Sequence, residues 1–123
     1  MVTAKDIMTK EVVCVRRDTS VREALRLMLV HKISDVPVVE EDMTLVGIVT
    51  EKDLLRLLYG PQGTTGKTVE QFMTRPAVYF QADESLEEIR QCLNDVDFRR
   101  VPVTKKGKVV GTVSRPDIIR RIL

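Results

Sequence analysis

The sequence predicts a mixed α/β domain built as two copies of one unit, and three observations carry that reading. Met8-Thr9, Asp18, Ser20, Glu23, Val36-Pro37-Val38 and Gly47-Ile48-Val49-Thr50-Glu51-Lys52-Asp53 return in order as Met73-Thr74, Asp83, Ser85, Glu88, Val101-Pro102-Val103 and Gly111-Thr112-Val113-Ser114-Arg115-Pro116-Asp117. The offset is 73 − 8 = 65 up to the prolines and 111 − 47 = 64 after them, so a single residue is lost in between. Within each copy, short apolar runs suited to strands alternate with amphipathic helical patterns. A repeat of this length decides the architecture before any local pattern does. Two copies ending in Gly-x-x-[Thr/Ser]-x-x-Asp predict a pseudo-symmetric domain with two related clefts.

Each copy reads as helical turn, strand, helix, strand, strand, helix. Thr3-Ala4-Lys5-Asp6 opens the first turn, and Thr68-Val69-Glu70-Gln71 opens its counterpart with capping-box spacing. Residues 12–15 and 77–80 are apolar runs suited to buried strands. Ser20-Val21-Arg22-Glu23 and Ser85-Leu86-Glu87-Glu88 have the form of capping boxes. The helices they start show apolar faces at Val21, Ala24, Leu25 and Met28, and at Leu86, Ile89, Leu93 and Val96. Val36-Pro37-Val38-Val39 and Val101-Pro102-Val103 predict strands with proline at an edge or a start. Turns at Glu40-Glu41-Asp42-Met43 and Thr104-Lys105-Lys106-Gly107 lead to strands over 44–49 and 108–113, and the lost residue falls in this hairpin. Apolar helices over 54–58 and 118–123 close the copies. The first copy spans 1–59, a Gly/Pro-rich linker 60–67 and the second copy 68–123. The second copy ends with the chain, so the two copies are expected to carry the function.

Composition excludes several classes. A chain of 123 residues is long enough for one real core, which must be aliphatic because 4% of residues are aromatic and none is Trp. A net charge of +2 is too small for a nucleic-acid surface, and Lys105-Lys106 and Arg120-Arg121 read as solvated pairs. Cys14 and Cys92 have no Cys or His at ligand spacing and read as small buried hydrophobes; His31 has no metal partner either. No signal peptide and no apolar run near the ~18 residues of a membrane span is seen, so a cytoplasmic protein is expected. No nucleophile–base pair or paired carboxylates suggest an enzyme.

The repeated motif allows two readings. Gly47 lets another group approach the backbone, Thr50 sits at a helix N-cap and Asp53 at the third helical position. Capping alone accounts for Thr50 and Asp53. The same geometry turns N–H groups toward a phosphate and a carboxylate toward a ribose diol.

Taken together, Asp6-Ile7-Met8-Thr9, Asp18-x-Ser20, Ile33-Ser34-Asp35-Val36-Pro37-Val38 and Gly47 to Asp53, with Phe72-Met73-Thr74, Phe98-Arg99-Arg100-Val101-Pro102-Val103 and Gly111 to Asp117, resemble a tandem pair of CBS (cystathionine-β-synthase) domains, a Bateman module. The resemblance covers essentially the whole chain. It implies a βαββα fold for each repeat, with a three-stranded mixed sheet, helices on one face and a pseudo-two-fold axis. It also implies two clefts for adenosine-containing ligands such as AMP, ADP, ATP or S-adenosylmethionine, with no other cofactor. By this resemblance the first cleft uses Thr50 and Asp53 with Ala77, Val78, Phe98, Arg99, Arg100 and Pro102. The second uses Ser114 and Asp117 with Thr9, Val12, Val13, Ile33, Ser34, Asp35 and Pro37. Arg99 and Arg100 suit a phosphate, whereas Asp35 disfavours one. A regulatory module, a homodimer paired through its last helices and an unidentified regulated protein are the expectations. A structural dimerisation module with vestigial clefts is the alternative.

Overall fold

The computed structural model describes residues 1–95 and 99–123. Two compact units form: a middle unit of Val13–Ala77, and a terminal unit that joins Met1–Val12 to Val78–Leu123. The elements in chain order are α1 (Ala4–Ile7), α2 (Val21–His31), β1 (Asp35–Val39), β2 (Leu45–Thr50), α3 (Glu51–Leu55), β3 (Phe80–Gln81), α4 (Leu86–Asp95), β4 (Arg100–Lys105), β5 (Lys108–Ser114) and α5 (Arg115–Ile122), with short 3₁₀ turns at Arg56–Tyr59 and Val69–Gln71.

The middle unit is a β1–β2 antiparallel hairpin covered by α2 and α3, with Val21, Ala24, Met28, Val36, Val38 and Leu54 in its core. The strand expected over 12–15 contracts to one bridge, where Val15 N donates to Pro37 O (3.0 Å) and Val39 N donates to Val15 O (2.9 Å). The next bond of a parallel ladder would need an N–H from Pro37, which proline lacks. Proline thus sets the strand's length.

The terminal unit repeats this logic. Its sheet runs β3-β4-β5, parallel then antiparallel, over a core of Ala4, Phe80, Ile89, Leu93, Val101 and Val113. The strand expected over 77–80 starts only at Phe80, whose partner Val103 follows Pro102 directly. The hairpin between Lys105 and Lys108 is a two-residue turn with both Lys106 (φ 55°) and Gly107 (φ 81°) left-handed, the geometry that suits the twist of a tight hairpin. The first copy's turn, between Val39 and Leu45, is one residue longer than its counterpart between Thr104 and Val109.

Other local expectations shift slightly. Ser20 Oγ accepts from Glu23 N (3.0 Å), but the Glu23 carboxylate turns to Arg26 and leaves the box half-closed. The helix expected over 54–58 starts at Glu51 and tightens into the 3₁₀ turn after Leu55, ahead of Gly60-Pro61. Pro116, in the first turn of α5, leaves that helix intact. Val96 lies outside the described residues.

The repeated Met-Thr and Gly elements find each other across copies. Thr9 and Thr112 exchange backbone hydrogen bonds (2.8 and 3.0 Å), and so do Thr74 and Ile48 (2.8 and 3.1 Å). Each Met-Thr segment lies on a glycine of the other copy. A Cβ at Gly47 would stand 2.8 Å from Thr74 O, and one at Gly111 would stand 2.5 Å from Met8 Sδ and 2.9 Å from Thr9 O. This docking is why the compact units cut the chain differently from the sequence copies.

Gly47→Ala and Gly111→Ala should each destabilise by about 1–3 kcal/mol in urea unfolding, the usual range for overpacking. Adding Met8→Ala should recover part of the Gly111→Ala loss. Met73→Ala should recover less at Gly47, where the nearest obstacle is a backbone carbonyl.

Candidate functional site

In the middle unit, Thr50 ends β2 and caps α3. Its Oγ1 accepts from Asp53 N (3.1 Å), and Asp53 Oδ2 accepts from Thr50 N (3.1 Å), a complete capping box. Asp53 is half-buried, and among the described residues its Oδ1 has no hydrogen-bond partner. Register sets Asp35 opposite Thr50, and Glu51 N donates to Ser34 O (2.8 Å). Ser34, Asp35, Thr50 and Asp53 therefore gather at one end of the hairpin, with Ile33 just before β1 and Pro37 within it. Val13 and Ala77, both half-buried, stand at the two ends of the unit's chain.

The terminal unit gathers the second motif with different bonding. Asp117 is 5% exposed and accepts four hydrogen bonds. Ser114 N (2.8 Å) and Ser114 Oγ (3.0 Å) reach Oδ2, while Thr9 Oγ1 (3.0 Å) and the Arg120 guanidinium reach Oδ1. Arg100 is half-buried and pairs in register with Ser114; Arg99, exposed, precedes it. Pro102 is buried in β4, while Val12 and Val78 are half-buried. Phe98 lies outside the described residues.

Sequence reasoning placed Thr9 with Asp117 through family likeness but overlooked Arg120. The signal was present: an acid and a base at i and i+3 share a helix face. At the matching position Arg56 directs its Nε to Asp53 O (3.2 Å), not to the carboxylate.

The cysteines are half-buried. Desolvation pushes the Cys14 thiol up to about 11 and also raises Cys92, which keeps both thiols protonated and poorly nucleophilic near neutrality. A groove of about 470 Å³ beside Lys5, Ala82 and Lys105 in the terminal unit is lined by none of the expected site residues. Among the described residues, no helix is long and apolar enough to cross a membrane.

Two tandem segments of the chain, residues 4–60 and 69–123, match the CBS domain family. The chain belongs to the CBS domain family. Among solved structures, CBSX2 in complex with AMP is 33% identical with a TM-score of 0.88, covering 99% of this chain and 96% of that one. The CBS pair of MJ0100 in complex with 5′-methylthioadenosine and S-adenosylmethionine is 30% identical with a TM-score of 0.84, covering 99% of this chain and 96% of that one. The inosine-5′-monophosphate dehydrogenase of Aquifex aeolicus is 35% identical over 89% of this chain, which amounts to 22% of that enzyme's length. The CBS pair here likewise spans 41% and 22% of two further curated relatives, both from Methanocaldococcus jannaschii. Matches of this kind thus take up 86% of the hypoxic response protein 1 of Mycobacterium tuberculosis but a small part of larger relatives.

The bonding of the two aspartates predicts unequal structural roles. Asp117→Ala should cost about 2–3 kcal/mol, because it strips charge-assisted bonds from the buried Ser114 N and Oγ. Asp53→Ala should cost about 0.5–1 kcal/mol, the worth of a cap contact. Urea unfolding of the two variants, side by side, checks the order.

Proposed function

We propose that this CBS pair is a regulatory module that binds adenosine-containing ligands and passes the bound state to a partner protein. The observation that carries the reading is the likeness, across essentially the full chain, to CBS pairs holding AMP and S-adenosylmethionine. The motif residues support it locally. Asp53 keeps a carboxylate oxygen, unpartnered among the described residues, for a ribose hydroxyl. Gly47, by admitting the Met-Thr segment, fixes the strand end from which Thr50 and Asp53 project. Arg99 and Arg100 supply guanidinium groups suited to bidentate capture of a phosphate. The reading is a binding module and not an enzyme, since the acidic groups of the motifs are committed to caps and to ligand hydroxyls. A cytoplasmic setting fits two cysteines left as free thiols.

A second copy of the chain is the proposed first partner. Leu29 (81% exposed), Val30 and Leu55 stand out from the middle unit, and Ile119, Ile122 and Leu123 from the terminal unit. Clustered exposed apolar residues of this kind mark association surfaces. Light scattering at tens of micromolar should report a dimer; a monomer at that concentration removes this part of the proposal.

Asp53→Ala should weaken adenosine binding by about 1.5–3 kcal/mol in calorimetry, more than it weakens the fold. Arg99→Ala combined with Arg100→Ala should remove most AMP affinity and leave adenosine nearly untouched. Unchanged relative affinities for AMP and adenosine would take the phosphate role away from the arginines.

A further inference from the structure

The two motifs differ in how much of each carboxylate is left for a ligand. An ionised carboxylate offers about four acceptor positions. Asp117 has filled them, with Ser114 N and Ser114 Oγ on Oδ2 and with Thr9 Oγ1 and Arg120 on Oδ1. Asp53 spends one, on Thr50 N, among the described residues. A ribose diol adds hydrogen bonds at Asp53 but must displace existing ones at Asp117.

We infer that the Ser114/Asp117 half-site is held shut in the empty protein by Arg120 and Thr9, so that an adenosine ligand fills the Thr50/Asp53 half-site first. The inference rests on the adenosine reading of the proposed function and adds an order of filling to it. Oδ1 is the oxygen a ligand must win. Ser114 N is fixed by the turn into α5, whereas Thr9 Oγ1 and the Arg120 guanidinium reach Asp117 through rotatable side chains. The Arg120 side chain is 67% exposed and can return to water without leaving a buried charge of its own.

The local sequence accounts for the arginine part of the difference. Gly60-Pro61 follows α3, which tightens into a 3₁₀ turn at Arg56, and the Arg56 side chain reaches a backbone carbonyl instead of Asp53's carboxylate. No such break follows Asp117. Helix α5 continues to Ile122 and sets Arg120 one turn beyond Asp117 on the same face. Thr74, the counterpart of Thr9, makes no side-chain hydrogen bond among the described residues, so the second clasp is missing there too.

Calorimetric titration of the full chain with adenosine tests the gate. Adenosine is uncharged, so losing Arg120 cannot act through attraction to a phosphate. Asp117→Asn isolates the first half-site and Asp53→Asn the second, and the first should bind roughly tenfold more tightly. In the Asp53→Asn background, Arg120→Ala should tighten the remaining site about fivefold, the scale of a half-exposed ion pair. Arg120→Lys should tighten it less, because a cation remains. Thr9→Val in the same background should act in the same direction, and Arg120, being exposed, gives the test even if Thr9→Val disturbs folding. Equal affinities in the two single-site variants overturn the gate, as does an Arg120→Ala site that binds no better. If the unmutated chain binds no adenosine, the ligand reading itself falls, an outcome plainly different from two equal sites.

Discussion

The close approach of a Met-Thr segment to a glycine is the constraint on which the rest of this molecule depends. With no Cβ at Gly47 or Gly111, the carbonyl of Thr74 or Thr9 comes within reach of the strand that leads to the Thr/Ser-x-x-Asp motif. Two short backbone exchanges then fix Met73-Thr74 on Ile48 and Met8-Thr9 on Thr112. One consequence is topological, because each contact joins the start of one sequence copy to the hairpin of the other. A second is chemical: the docked Thr9 is delivered to Asp117, where its hydroxyl joins the carboxylate's hydrogen bonds. Thr74 is docked in the same way without reaching Asp53's carboxylate. An identical backbone device therefore yields two chemically different ends.

Much of this was legible from residues alone. The repeat, the single-residue deletion in the hairpin, the helix faces of Val21, Ala24 and Met28 and of Ile89 and Leu93, and the cap at Thr50 all follow from local rules that the fold obeys. Strand lengths were not legible from apolar runs. Residues 12–15 and 77–80 look like strands of equal worth, but the proline of the neighbouring strand removes the donor that a longer parallel ladder needs. That rule is readable once the pairing partner is known, and the pairing is a tertiary fact. The exchange of Met-Thr segments was hidden for the same reason. The glycine announces that something approaches closely without saying which segment does.

The candidate site shows a similar limit. Both motifs have the same residue types at the same spacing, so the sequence presents them as near equivalents. Part of their difference comes from the chain beyond each aspartate. Three residues on, an arginine stands in both copies. Whether it reaches the carboxylate depends on helix continuation: α3 gives way to a 3₁₀ turn at Arg56, ahead of Gly60-Pro61, while α5 runs on to Ile122. A residue comparison limited to the seven-residue motif could not see it.

The capping and ligand readings of these aspartates are therefore not rivals. A carboxylate with about four acceptor positions can hold its N-cap bond and still accept from a ribose. The N-cap bond to Thr50 or Ser114 keeps the strand-to-helix turn in place whether or not ligand is present. The remaining positions decide how readily a ligand enters. Where they are open, as at Asp53, a ligand of the proposed kind would add hydrogen bonds without displacing any. Where Thr9 and Arg120 fill them, a ligand of the proposed kind would have to displace a threonine whose backbone is anchored on Thr112 and an arginine on a solvent-facing turn of α5. On the proposed reading, a ligand at the second motif would change the bonding of Thr9 and Arg120, while one at the first would displace no side-chain hydrogen bond to Asp53 among the described residues. On the proposed adenosine reading, the clasped carboxylate of Asp117 is the one whose occupancy would be felt by other segments of its unit.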